Sequence, residues 1–393
     1  MKILHVTSLY PNICKPFSGR AVKKLIDSVA LNKSIENQVI HFIPFAFFPI
    51  SLFREDWKCY SQIKQPKSEN VEFLKTVVFP KSSFRIFSSI YEGGKAFRKV
   101  KKYNSKMPTI VHCHTAFIDG YCGRLINEKL NIPYVLTVRR EIDFENNDLN
   151  DKEKRFTLKN IEASSMVIAP SIHLKKKCLK YSNKEPILVP NGIDAKMIIS
   201  DKELIQKQHD KRDTVGIITV ASLDTNKSVD IVIRCFSKLL KKYGNFFHLD
   251  IVGSGPLEEE LKELVRIEKI SSNVTFHGQL TNQEVIQILD MNDIFFLPSK
   301  TETFGLAFLE ALARGLPIIG RKNQGIDGIA IHGVHGFFED EIGAFYEALE
   351  TLSTNKHLRD QMGKKGVELA KKYTWEKSGI KLAEIYKKIE LGE

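Results

Sequence analysis

Short β-branched runs alternate with segments of helical apolar spacing along almost the whole chain, and no other feature constrains the fold as much. Lys2 to Ser8 is a short apolar run, and the loop after it ends in Ser18-Gly19. Arg20 to Leu31 then sets Val22, Leu25, Ile26 and Val29 on one helical face. Gln38 to Ile43, Thr109 to Cys113, Tyr134 to Val138 and Met166 to Ala169 are further buried-strand candidates, with helix-like segments such as Tyr121 to Leu130 between them. Apolar strands separated by helices predict a parallel sheet covered on both faces.

The rhythm breaks at Val189-Pro190-Asn191-Gly192 and restarts beyond a charged stretch, Ser200 to Asp213. Val215 to Val220, His248 to Val252, Asn273 to Phe276, Ile294 to Leu297 and Pro317 to Ile319 form a second series of strands. Val229 to Tyr243, Leu257 to Glu268, Asn282 to Leu289 and Leu306 to Arg314 read as helices between them. A chain of 393 residues suits two domains of roughly 150–200 residues each. The expected division is residues 1–191 and 192–375, with a final helical segment, 376–393, packing back on the first domain. The expected fold is α/β: two doubly wound, Rossmann-like domains facing across a cleft at the carboxyl ends of their strands, where ligands of such sheets bind.

Charge is spread unevenly over these halves. Residues 1–192 hold 32 basic and 17 acidic side chains, a net +15, whereas the remainder carries −3 of the total +12. The first half therefore suits an anionic partner: nucleic acid, a membrane surface or a phosphorylated substrate. Cysteines 14, 59, 113, 122, 178 and 235 form no CxxC pair and no paired framework, which suits a reducing compartment. Met1 to Tyr10 reads as a first strand and not as a secretory leader, and no apolar run is long enough to span a bilayer.

The densest chemical signal is Pro298-Ser299-Lys300-Thr301-Glu302-Thr303-Phe304-Gly305-Leu306-Ala307-Phe308-Leu309-Glu310-Ala311. A strand runs into a loop containing Glu302 and Gly305, then into a helix carrying Glu310. Amides at such a helix start hold phosphate or sugar oxygens, and a carboxylate one turn later can accept two ribose hydroxyls. The plainer reading is a helix with one glutamate near its positive end and another on a solvated face.

Glu302 and Glu310 form the E-x7-E pattern, and here the chain resembles the retaining GT-B glycosyltransferases, most like glycosyltransferase family 4. Val189-Pro190-Asn191-Gly192-Ile193-Asp194 resembles that family's interdomain signature. Val252-Gly253-Ser254-Gly255-Pro256 is similar to its second-domain glycine turn, and Tyr373-Thr374-Trp375-Glu376 to its closing segment. The resemblance implies a retaining glycosyltransferase that moves a sugar from a nucleotide-sugar donor, commonly a UDP-sugar, to a hydroxyl of a lipid-linked or growing saccharide. It implies Glu302 beside the donor sugar, Glu310 on the ribose, and the Phe304, Gly305 and Leu306 amides around sugar and diphosphate. No resident cofactor is implied.

Further site residues follow from the same resemblance. Lys227 matches the lysine of the diphosphate-binding loop, whereas Ser222 stands where the family often has arginine. Arg20 and Arg139 are candidates for the missing cation. His114 is implied to meet the donor sugar, though a structural histidine at a strand end is the plainer reading. Gly19, in Ser18-Gly19-Arg20, resembles the first-domain glycine loop, which could equally be an ordinary strand–helix turn. Arg139 fits a position where the family shows histidine or arginine, but Arg140 departs from the glycine expected next and is an acceptor-side or phosphate candidate.

Other chemistries fit less well. His112 and His114 share one strand face, but no nearby cysteine or carboxylate completes a metal set, and no D-x-D triplet occurs. Gly253-Ser254-Gly255 begins a dinucleotide-like G-x-G, yet the third glycine is absent and Glu258-Glu259-Glu260 would repel a diphosphate. No G-x-S-x-G elbow marks a hydrolase. A GT-B epimerase or phosphorylase, a saccharide-binding protein without activity and a basic nucleic-acid binder stay as alternatives. The last lacks any zinc-finger, RNP-like or helix-turn-helix signature.

An anionic membrane surface is the expected further partner, with the protein cytoplasmic and peripheral on the inner face of the cell membrane. Val39 to Phe53 carries Phe42, Phe45, Phe47, Phe48, Ile50, Leu52 and Phe53, interrupted by Pro44 and Pro49. Phe84 to Tyr103 adds Phe87, Tyr91 and Phe97 beside Lys95, Arg98, Lys99, Lys101 and Lys102. Apolar insertion and cationic attraction together are what peripheral binding needs. The alternative is that these aromatics fill the core.

Overall fold

The computed structural model describes residues 1–15, 18–45, 59–60, 63, 70–77, 85–103, 107–142, 144–145, 149–209 and 214–392. The chain divides into two compact units, Met1–Asn191 with Trp375–Glu393, and Gly192–Thr374.

The first unit is built from β1 (Lys2–Thr7), α1 (Arg20–Ala30), β2 (Glu36–Phe45), β3 (Val71–Val77), α2 (Arg85–Lys101), β4 (Ile110–Cys113), α3 (Ile118–Leu130), β5 (Tyr134–Thr137), α4 (Asp151–Glu162), β6 (Met166–Ala169), α5 (Ile172–Tyr181) and β7 (Ile187–Leu188). Its seven strands lie in the order β3-β2-β1-β4-β5-β6-β7, and every pairing is parallel. Helices cover both faces, so the central strands are mostly apolar: Ile3, Leu4, Val6, Ile110, Val111, Tyr134, Val135 and Leu136 are fully buried.

The second unit repeats the plan with α6 (Asp201–His209), β8 (Val215–Val220), α7 (Val229–Tyr243), β9 (Phe247–Val252), α8 (Glu258–Ile267), β10 (Val274–Gly278), α9 (Asn282–Met291), β11 (Ile294–Leu297), α10 (Leu306–Ala313), β12 (Ile318–Arg321), β13 (Gly336–Glu339), α11 (Ile342–Thr354) and α12 (Lys356–Ala370). Its six parallel strands run β10-β9-β8-β11-β12-β13. In each sheet the order reverses once, between β1 and β4 and between β8 and β11. Open α/β sheets bind ligands at such a switch point, beyond the carboxyl ends of the strands.

The last helix, α13 (Trp375–Leu391), returns to the first unit. It lies so close to α1 that a Cβ on Gly379 would stand 2.6 Å from Ser28 Oγ. Ser378 Oγ donates to the Pro190 carbonyl, and Tyr386 is carried fully into the core beneath β1 and β4.

The cysteine expectation is corrected here. Cys14, in the loop after β1, is disulfide-bonded to Cys59, with their Cα atoms 5.8 Å apart. Only Cys113, Cys122, Cys178 and Cys235 are free, and all four are buried. A pair separated by 45 positions has no spacing signature; the two meet because their segments fold over the same edge of the first sheet, against Ile43, Tyr60, Ile63 and Phe73. The charged stretch 200–213 likewise contains a helix, α6, whose Leu204 packs with Ile199 and Val367.

Candidate functional site

At the switch point of the second sheet, the loop after β8 is folded around Asp224. Its Oδ1 accepts the amides of Asn226 (2.9 Å) and Lys227 (3.3 Å), and its Oδ2 accepts the Ser222 hydroxyl (2.6 Å). The residue in the usual arginine position is thus a serine bonded to a carboxylate. Asn226 ties this loop to the one after β11. Its Nδ2 donates to the Thr301 carbonyl (2.8 Å), its Oδ1 accepts the Thr301 amide (2.9 Å), and its carbonyl accepts the Lys300 amide (2.7 Å).

The clamp sets Lys227 Nζ 2.6 Å from Glu302 Oε2, with the two side chains 19% and 16% exposed. Glu302 is held on its other side as well: its amide donates to Gln324 Oε1 (3.1 Å), and its carbonyl accepts the Gly325 amide (3.1 Å). Asp224, Asn226 and Gln324 escape sequence reading because nothing in their spacing marks them as partners of Glu302.

Gly305 caps α10 at φ 78°, where a Cβ would press into the Phe308 ring at 2.5 Å. Phe304 is buried, whereas Leu306 and Glu310 are half-buried on the first turns of α10. Gly253 has a structural cause: its Cβ would come within 1.8 Å of the Ala221 carbonyl oxygen, so the glycine turn packs beneath the Ser222 loop. Beyond it, α8 begins with Glu258, Glu259 and Glu260. A cation, a carboxylate and a helix N-terminus at one switch point suit a ligand carrying both phosphate and hydroxyl groups.

In the first unit, Gly19 adopts φ 69° ahead of α1 because a Cβ there would lie 2.4 Å from the Leu9 carbonyl carbon. Arg20 follows on the exposed first turn. Arg139, proposed above as a cation for phosphate, is buried, and its Nε donates to the His114 carbonyl at 2.9 Å. Arg140 is exposed on the short turn Arg140–Ile142.

His114 stands just past β4, fully buried, and belongs to a cluster that the sequence reading saw only in part. His5 on β1 is in register with His112 on β4. His5 Nδ1 lies 3.0 Å from His114 Nε2, and His5 Nε2 lies 3.0 Å from Asn37 Oδ1. His112 is bonded to Tyr386 Oη (2.6 Å) and Thr137 Oγ1 (2.8 Å). Burial pushes all three histidines down, His5 to about 4, and their mutual proximity adds to this for His112 and His114. They are neutral imidazoles at physiological pH.

Three imidazoles whose ligand atoms lie within 4.8 Å of one another pose the metal question again. The His112 and His114 rings stack at 4.2 Å with a 24° tilt. Both nitrogens of His5 and of His112 already bond to protein groups. The cluster is a hydrogen-bonded network.

Of the aromatics considered for a membrane surface, one is corrected to a core residue and another is half-buried against the core. Phe42 lies on β2, flanked by β1 and β3, and is buried; Phe97 packs against the same apolar cluster from α2. Phe87 and Ile90 of α2 are exposed, as are Arg98, Lys101 and Lys102. Lys99 is paired with Glu72 at 2.9 Å, and Lys95 lies over the Tyr91 ring. Residues 46–53 and 84 and the side chain of Phe45 lie outside the described residues. Among the described residues, no helix is long and apolar enough to cross a membrane.

Comparison with known proteins gives these features a context. Residues 59–196 match the family described as Glycosyltransferase Family 4, and residues 201–368 match Glycosyl transferases group 1. An uncharacterized glycosyltransferase of Methanocaldococcus jannaschii is 25% identical over 388 residues, covering 97% of this chain and 98% of that protein. The alpha-monoglucosyldiacylglycerol synthase of Acholeplasma laidlawii is 25% identical over 76% of this chain and 79% of its own length. Among solved structures, Anabaena HepE in complex with UDP and glucose superposes with a TM-score of 0.70 at 16% identity, covering 98% of this chain and 99% of HepE.

Proposed function

We propose, from the premise that this chain belongs to the family 4 type of GT-B glycosyltransferases, that it transfers a sugar with retention from a nucleotide-sugar donor to a hydroxyl of a lipid-linked or growing saccharide. The observation that carries this reading is the Lys227–Glu302 pair, held on both sides at the switch point of the second sheet. UDP is the proposed nucleotide, supported by the UDP named with HepE. A glycolipid or surface-polysaccharide acceptor is supported by the name of the diacylglycerol-sugar synthase relative.

In this proposal Glu310 accepts the ribose hydroxyls, Glu302 and His114 orient the donor sugar, and the start of α10 and Gly19 bind the diphosphate. Lys227 meets the charge that develops on the departing phosphate. With Ser222 bonded to Asp224, a second cation would come from Arg20, Arg139 or Arg140. The departing phosphate takes the acceptor's proton as the new glycosidic bond forms on the same face of the sugar. The scheme needs no metal. Peripheral attachment to an anionic membrane through α2 is part of the proposal, supported by exposed Phe87 and Ile90 with Arg98 and Lys101 on that helix and Lys102 just beyond it.

A thermal-shift and hydrolysis screen across nucleotide sugars tests the donor half, since a bound donor raises stability by mass action. A shift with one nucleotide sugar, turnover in the presence of chelator and an α-configured product are expected. No shift and no hydrolysis with any nucleotide sugar, alongside tight salt-dependent binding of arbitrary DNA, would transfer the assignment to the nucleic-acid reading.

A further inference from the structure

One chain of hydrogen bonds in the first unit has a direction that the protein itself dictates. The Ile26 carbonyl of α1 can only accept, so the group facing it at 3.3 Å is the Asn37 side-chain NH2. The Asn37 carbonyl oxygen therefore faces His5, and His5 Nε2 must carry the proton that it receives. A neutral His5 then has a bare Nδ1, which only a donor can satisfy, and its partner is His114 Nε2. His114 is fixed in turn as the Nε2–H tautomer. Its Nδ1 keeps an unprotonated lone pair that is buried and without a hydrogen-bond partner.

Such an unmade bond in a buried site calls for a cause. Here it stands one residue beyond β4, at the switch point of the first sheet, where a ligand of this fold is read. The His114 ring stacks on the His112 ring, which is itself anchored by Tyr386 and Thr137. Burial keeps His5 neutral down to a pH near 4, so the direction of the relay holds over the working pH range.

We propose that Asn37 and His5 are positioning residues that hold His114 as the Nε2–H tautomer, so that its Nδ1 accepts a hydrogen bond from a hydroxyl of the donor sugar. Neither residue touches substrate; each acts through His114. The role of the hydroxyl rests on the glycosyltransferase reading, whereas the tautomer does not.

The test uses the full chain labelled with 15N-histidine. In ligand-free wild-type protein, long-range 1H–15N spectra should show His5 and His114 as single Nε2–H tautomers. His5→Leu removes the acceptor and should leave His114 as a tautomer mixture, while raising the donor KM about five- to tenfold with kcat little changed, as loss of one neutral hydrogen bond predicts. His5→Asn places a carbonyl oxygen where Nδ1 stands and should restore both the tautomer and most of the KM. A merely structural role would lower the active fraction, and so kcat, without moving KM.

An Nδ1–H tautomer for His114 in wild type overturns the proposal, as does a His5→Leu variant with unaltered tautomer or unaltered donor KM. Stoichiometric zinc retained by wild type through dialysis and lost in His5→Asn would overturn it in favour of a metal centre. Absence of turnover by wild type with every nucleotide sugar falls instead on the transferase reading, because the tautomer is read without donor.

Discussion

Lys227 Nζ and Glu302 Oε2 meet at 2.6 Å across 75 positions of sequence, joining the loop after β8 to the loop after β11. Both side chains are more than four-fifths covered, so each is the other's principal counter-charge in the ligand-free chain. A donor diphosphate would compete with Glu302 for Lys227, and release of the glutamate towards the sugar would accompany binding. Lys227→Met should therefore weaken nucleotide-sugar affinity, and Glu302→Gln should chiefly lower kcat. Calorimetry and steady-state kinetics on the singles and the double variant would measure the coupling, expected at about 1–3 kcal/mol. Additive losses in binding would show that the contact has no functional part.

Glu310 is the second glutamate of the loop–helix motif, half-buried on α10. Replacement by glutamine keeps its shape but removes a charged acceptor for two hydroxyls. Free nucleoside diphosphate should bind more weakly by about 1.5–3 kcal/mol, with kcat at saturating donor changed much less. Unaltered nucleotide affinity in isothermal titration would remove Glu310 from the ribose site.

Ser228 precedes α7 as its N-cap at φ 52° and ψ 42°, a left-handed conformation uncommon for a residue with a Cβ, and its buried hydroxyl has no hydrogen-bond partner. Ser228→Gly relieves both costs and should stabilise the second unit by about 1 kcal/mol. A melting temperature equal to or below that of wild type would show that the strain is compensated by contacts of the serine.

Glu92 of α2 is buried, and that burial pushes its carboxyl up to about 7 against the opposing pull of Thr76 and Lys95. The folded chain thus holds a proton that the unfolded chain releases near the ordinary value of 4.5. The favourable contribution is fully present below that value and is lost as pH rises towards 7. Glu92→Gln should flatten this slope and be the more stable protein at pH 8, by on the order of 2–3 kcal/mol. Denaturant titrations at pH 5 and pH 8 decide it: parallel changes in both proteins would mean that the carboxyl is ionised throughout.

Burial raises the thiols of Cys178 and Cys235 to about 12, and those of Cys113 and Cys122 well above their usual value. None should react with iodoacetamide in the native protein. After reduction, Cys14 and Cys59 should become the first to label. Mass spectrometry of native, reduced and denatured samples counts the modified sites. Labelling of all six at one rate would indicate unfolding and not selective opening of the bond.

The sequence alone determined that the chain would fold as two parallel sheets with helices on both faces, because strand and helix periods are local properties. β6 and β11 begin and end where the apolar runs do. The loop carrying Glu302 and the helix carrying Glu310 were legible for the same reason. The weaker signals failed: β3, β13, α11 and α12 lack a distinctive enough pattern to be read from it. Only the tertiary structure decided which distant side chains meet. His5 and His114 stand 109 positions apart, and His112 and Tyr386 stand 274 apart. Their contacts exist because β1 lies beside β4 in the sheet and α13 returns to the first unit. The same strand order encloses Phe42 and Arg139, brings Cys14 to Cys59, and sets Asn226 against Thr301. Periodicity specifies which face of an element is apolar; it carries no information on which element that face will find, and the chemistry here depends on that second choice.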